Sequence, residues 1–191
     1  MTAPDKTCYC DFLAALPVSD GAVTIRTMET GDAEAYATGT EDALVKRYAH
    51  LPMDHYTPQL VRSLLEGPIA DGLRLGNLAV LTIADANSDV FLGSLVFFDI
   101  KPNDEAEVGY WVAPEHRGQK VSGRALALAI ETARSLGLKR LHARTVEENP
   151  ASQRVLLLAG FEQAGEAQPT LTPSGKTEMG VSYVRDIWGI G

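Results

Sequence analysis

Residues 112–126 read Val-Ala-Pro-Glu-His-Arg-Gly-Gln-Lys-Val-Ser-Gly-Arg-Ala-Leu. Upstream, residues 105–112 (Glu-Ala-Glu-Val-Gly-Tyr-Trp-Val) have the pattern of a strand, which Pro114 stops. Downstream, apolar residues at 121, 125, 126, 128, 129, 130 and 133 recur at helical spacing. They predict a helix over 121–136, closed by Gly137. A strand, a short polar loop and a helix N-terminus thus follow one another. The first N–H groups of a helix have no intrahelical acceptor and carry partial positive charge. A loop that lets the backbone approach closely turns them into a phosphate cradle. Arg117, Lys120 and Arg124 put cations at an end where they oppose the helix dipole, so an anion is the expected reason for them. The alternative is a solvated turn with incidental basic residues.

Working outward, residues 77–84 and 90–100 are apolar and rich in β-branched or aromatic residues, with a polar turn at 85–89. With 105–112 they predict a three-stranded antiparallel meander. Residues 22–27 alternate as a strand, and 33–49 is rich in helix formers after Asp32. Thr57 predicts the N-cap of a second helix to about 66, ended by Gly67-Pro68. After the central helix come a strand over 139–146 and a helix opened by Asn149-Pro150 and ending at Ala159-Gly160. A short strand at 161–165, a loop over 169–175 and a strand over 176–185 complete the chain. The expectation is an α+β domain over 22–191 with a mixed sheet, preceded by an irregular extension over 1–21.

The 191 residues are 45% hydrophobic and 22% charged, values of a globular chain. Seventeen Lys and Arg against 25 Asp and Glu give a net charge of -8. That balance disfavours nucleic acid and favours cationic partners such as amines. Cys8 and Cys10 are too few for a disulfide framework, and no further Cys or His nearby suggests a metal. No signal segment and no membrane span is read, so a reducing cytoplasm is the expected location and no membrane partner is expected.

The stretch 112–126 resembles the coenzyme A loop of the GCN5-related N-acetyltransferases (GNAT), Gln/Arg-x-x-Gly-x-Gly/Ala after a strand and a proline. Residues 106–112 resemble that family's fourth strand. Residues 148–161, Glu-Asn-Pro-Ala-Ser-Gln-Arg-Val-Leu-Leu-Leu-Ala-Gly-Phe, resemble its late helix. Arg26 and Asp32-Ala33 match the start of the RimJ/RimL branch, which acetylates ribosomal proteins. The resemblance covers about 22–186 and implies the GNAT fold, a mixed, mostly antiparallel sheet of about seven strands with about four helices. Arg117 fills the Gln/Arg position, but Lys120 and Ser122 stand where the family has Gly and Gly/Ala.

The resemblance further implies transfer of an acetyl or other acyl group from acyl-coenzyme A to a primary amine, by direct attack in a ternary complex and without metal. The amine belongs to a small molecule or a protein N-terminus, and a homodimer is compatible. Alternatives are a different acyl donor, a carrier-protein thioester or aminoacyl-tRNA, and a non-catalytic coenzyme A-binding domain. The implied cofactor-binding residues are Tyr110, Trp111, Val112, Arg117, Gly118, Gln119, Lys120, Val121, Ser122, Gly123 and Asn149, with a strand bulge near Gly109 exposing N–H groups to the acyl carbonyl. Glu107 is the candidate base, collecting the amine proton directly or through water; His116 and His142 are weaker candidates. Ser152 is the candidate acid, because Leu156 occupies the position where many relatives have tyrosine. Tyr48, His50, Asp54, His55 and Tyr56, with the loop at 166–175, are expected to line the acceptor site or else form an ordinary polar loop.

Overall fold

The computed structural model describes residues 10–101 and 104–188. Cys8 and residues 102–103, between the last two strands of the predicted meander, lie outside them. Helix α1 (Phe12–Ala15) and strands β1 (Val18–Ser19) and β2 (Val23–Thr27) lead to helices α2 (Ala33–Thr40), α3 (Ala43–Tyr48), α4 (Pro58–Glu66) and α5 (Pro68–Leu75). The meander follows as β3 (Ala79–Asp85), β4 (Phe91–Lys101) and β5 (Glu105–Val112). Helix α6 (Val121–Ser135), β6 (Arg140–Val146), α7 (Pro150–Leu158), β7 (Glu162–Gln163), β8 (Gln168–Leu171) and β9 (Thr177–Asp186) complete the order.

Among the described residues, nine strands form one sheet in the order β1-β2-β3-β4-β5-β6-β9-β7, with β8 on β9. Every pairing is antiparallel except β5–β6, joined by the α6 crossover. Alternation divides the core. Ala79, Leu81 and Ile83 of β3 and Ala106 and Val108 of β5 pack with α6 and α7. Trp111 of β5 and Ala113 just beyond it pack with Tyr36, Val45 and Val61 from α2, α3 and α4. No helix among the described residues is long and apolar enough to cross a membrane.

Three local readings are corrected. The helix predicted over 33–49 breaks after Thr40, because the Asp42 carboxylate accepts from the N–H groups of Leu44 and Val45 at 3.0 Å and starts a new helix. Pro68 opens α5 instead of closing the region, since proline suits a first helical turn. The loop read at 169–175 contains most of β8, paired to β9 from Gln168 to Leu171. The segment before residue 22 is not wholly irregular either. Phe12 is fully buried, its ring centroid 5.4 Å from that of Phe97.

Candidate active site

The loop after β5 turns into α6 through Lys120, whose φ of 63° and ψ of 14° are left-handed. A non-glycine residue there costs about 1–2 kcal/mol. The turn thus keeps the backbone that a glycine would supply while carrying an exposed ammonium. Among the described residues no side chain caps α6, so the N–H groups of Val121, Ser122 and Gly123 are left pointing out of the helix end. Two of the three nearby cations are engaged. Arg117 donates to the Asp42 carboxylate and, from Nε, to the Val112 carbonyl at 3.3 Å. Arg124 pairs with Asp20 at 2.7 Å. Lys120 takes part in no ion pair among the described residues. Arg117 therefore ties the loop to the start of α3, and of these three cations Lys120 is the one that no described carboxylate engages.

β5 pairs with β6 only from Glu105 to Glu107, and β6 continues with β9 as far as Val146. Ala113 N–H donates to Leu92 O at 2.8 Å, so residues 113, 111 and 109 direct their backbone groups to β4. The groups of Val108, Tyr110 and Val112 face the opposite way, where β6 has departed. The bulge expected near Gly109 is absent: β4 and β5 stay in register from Gly93–Val112 to Phe98–Glu107, and the irregularity lies between Phe98 and Lys101. The strand is opened by losing a neighbour rather than by an inserted residue. A cavity of about 300 Å³ fills the gap, walled by Val108, Tyr110, Val112, Arg117, Ser122, Asn149, Ser152 and Leu156 among others.

Asn149 caps α7, its Oδ1 accepting from Ser152 N–H at 3.2 Å. That places Ser152 Oγ 3.2 Å from Tyr110 Oη. Burial pushes the Tyr110 phenol above its usual range, opposed in part by the bond to Ser152. Two hydroxyls thus share one wall of the cavity, where the sequence offers Ser152 alone. Tyr110 is implied there only for its backbone; seeing its side chain would require knowing that β5 and α7 face each other.

Glu107 is buried on the opposite face of β5, and Arg144 Nε donates to it at 2.7 Å. It does not wall the 300 Å³ cavity. It borders a smaller one of about 90 Å³ with His50, Arg144 and Glu178. His142 lies 2.8 Å from Glu105, and His116 3.9 Å from Glu115. A third cavity, about 350 Å³, lies under α2, α4 and α5 and is lined by Tyr36, Leu51, Tyr56, Val96, Gly109 and Trp111 among others. It shares Ala49, Tyr110 and Trp111 with the 300 Å³ cavity, so the two adjoin where β5 and β6 part. The expected acceptor cluster is divided. Tyr48 walls the 300 Å³ cavity, His50 and Tyr56 line the 350 Å³ cavity, and Asp54 and His55 line a more polar one of about 410 Å³.

A family model described as acetyltransferase (GNAT) domain matches residues 22–162. The ribosomal-protein-serine acetyltransferase of Escherichia coli (strain K12) is 39% identical over 75 residues, a stretch spanning 38% of this chain and 42% of that protein. Mycobacterium smegmatis RimJ, solved in complex with CoA-disulfide, superposes with a TM-score of 0.76 at 22% identity, covering 86% of this chain and 81% of that one. Spermidine N-acetyltransferase from Vibrio cholerae, solved with CoA and spermine, gives a TM-score of 0.75 at 18% identity over 87% of this chain and 96% of that one. At these identities the likeness to the solved structures is one of fold.

Proposed function

The chain belongs to the acetyltransferase (GNAT) family, and from that premise we propose that it transfers an acetyl group from acetyl-coenzyme A to a primary amine in a ternary complex. The observation that carries the reading is the unpaired flank of β5 lying beside the uncapped end of α6. The residues fit the donor. The N–H groups of Val121, Ser122 and Gly123 and the Lys120 ammonium suit a pyrophosphate. The backbone N–H groups of Tyr110 and Val112, freed by the loss of β6, suit the acyl carbonyl, where they stabilise developing negative charge. Asn149 holds the start of α7, and through it Ser152. The hydroxyl pair Tyr110–Ser152 protonates the leaving sulfur, and Glu107 collects the amine proton through water in the 90 Å³ cavity. The acceptor enters from the Trp111 side, as a small molecule or a protein N-terminus. A cytoplasmic setting belongs to the same reading.

The test is acetyl-coenzyme A binding by calorimetry together with thiol release on adding amines. Ser152→Ala is expected to leave affinity near wild type and to lower kcat modestly, since Tyr110 remains. Adding Tyr110→Phe should lower kcat by about 10²–10⁴. Binding without thiol release for any amine would leave a coenzyme A-binding domain and end the enzymatic reading.

A further inference from the structure

None of the described residues lining the 350 Å³ cavity is Asp, Glu, Lys or Arg. Its titratable members are tyrosines and His50, and His50 also borders the 90 Å³ and 410 Å³ cavities. His50 Nε2 is shut off from solvent without a hydrogen-bond partner among the described residues. A buried polar atom left unpaired costs about 1–3 kcal/mol. The backbone beneath it is also left-handed, with φ 48°. A non-glycine residue holds that conformation only where its surroundings impose it. Two unfavourable features at one residue, on the seam between cavities, need a reason beyond folding.

We propose that the acceptor is a primary amine carried on an apolar group about the size of an aromatic side chain, and that His50 is the catalytic residue that takes its proton. This rests on the acyl-transfer reading above. The amine nitrogen bonds to the acyl carbon as the carbon–sulfur bond breaks. The amine proton passes to the imidazole at Nδ1, the ring nitrogen that is not shut off, and through water in the 90 Å³ cavity to Glu107, and the sulfur takes its proton from the Tyr110–Ser152 pair. The aliphatic and aromatic walls suit the apolar group. A polyamine would bring further ammonium groups into a cavity with no described carboxylate on its walls, leaving them desolvated and unpaired. Burial lowers the His50 pKa below its ordinary 6.5, with Glu178 opposing and Lys176 adding to the shift, so the ring is neutral at pH 7 with a nitrogen lone pair free to accept a proton. The other charged groups around these cavities are Lys46, Arg47, Asp54 and His55 near its own element, and Glu107 and Arg144 from β5 and β6.

The experiment compares 2-phenylethylamine, a short peptide beginning with Phe, and spermidine at saturating acetyl-coenzyme A, for wild type and His50→Asn. Asparagine tolerates the left-handed backbone and removes the titrating ring. At least one phenyl-bearing amine should exceed spermidine in kcat/KM by about tenfold or more. Whichever of the two wins identifies a free amine or a chain terminus as the source. His50→Asn should lower kcat/KM by about 10²–10⁴ and remove the acidic limb, which in wild type lies below pH 6.5 because the base works only when unprotonated. Acetyl-coenzyme A affinity should be unchanged. If His50→Asn lowers that affinity or the melting temperature, His50→Gly, which also accepts the backbone, takes its place. Spermidine as the best acceptor, or a folded His50 variant with wild-type kcat and pH profile, overturns the proposal and leaves acyl transfer standing. Absence of turnover with every amine overturns both.

Discussion

Arg26 grips Asp32 through two bonds, of 2.8 and 3.0 Å, and Asp32 also accepts from Glu29 N–H at 2.9 Å and the Thr82 hydroxyl at 2.8 Å. Burial pushes the Asp32 carboxyl up, but the Arg26 guanidinium, the Glu29 N–H and the Thr82 hydroxyl outweigh it and hold it below its ordinary 3.8. A depressed carboxyl contributes stability that is fully present above the unfolded value. The contribution fades as pH falls below 3.8 toward the folded value. Acid unfolding of Asp32→Asn should therefore be flatter than wild type in that window, and its stability at neutral pH lower by about 1–3 kcal/mol, because Arg26 loses its two-bond partner and keeps the exposed Asp89 carboxylate at 2.8 Å. Parallel acid titrations of the two proteins would contradict this. Single residues were legible unevenly. Lys120 stood out as a departure from a glycine pattern, but only the backbone reveals that the glycine's left-handed turn survives beneath it. Arg117 stood out as a phosphate ligand, but its partner Asp42 is 75 residues away in sequence and no local signal joins them.

At the scale of elements, the strands of the meander and helices α4, α6 and α7 were legible, because period, caps and stop residues all lie within a few positions of one another. The break between α2 and α3 was missed although Asp42 is a good N-cap, since helix-forming residues on both sides mask a one-residue signal. β8 was missed because it is mostly exposed and is defined only by its partner β9. The loss of pairing between β5 and β6, on which the site depends, has no signature in either strand alone. Helix α2 touches this region at Gly39, where an added Cβ would lie 2.6 and 2.7 Å from Trp111 Cζ3 and Cη2. Helix propensity alone would make Gly39→Ala stabilising by about 1 kcal/mol. The flat indole fixed among Tyr36 and Phe91 cannot yield that distance cheaply, so the expected outcome is a net loss of about 1–3 kcal/mol. Tryptophan fluorescence should shift with it. A gain in melting temperature with an unchanged spectrum would show that the α2–β5 contact is softer than drawn.

Across the whole molecule, the match to the family model begins at residue 22, yet the core it describes is completed from outside that range by Phe12. β1 adds a further two residues to the edge of the sheet beside β2. We propose that residues 10–19 fold as part of the same cooperative unit. Phe12→Ala should then cost about 3–5 kcal/mol, read as a lower urea midpoint with an unchanged slope. A loss below about 1 kcal/mol would mean that the segment merely leans on the domain, as a surface change does. The same view of the whole chain gives the meeting of the 300 and 350 Å³ cavities at Ala49, Tyr110 and Trp111 another meaning. It is a doorway between two rooms. One ligand built from a pantetheine-like arm and an apolar amine could pass through it and occupy both. Once either end is seated, the other is tethered at an effective concentration on the order of millimolar. Its grip would come from the passage between the rooms, which no fragment confined to one of them can use.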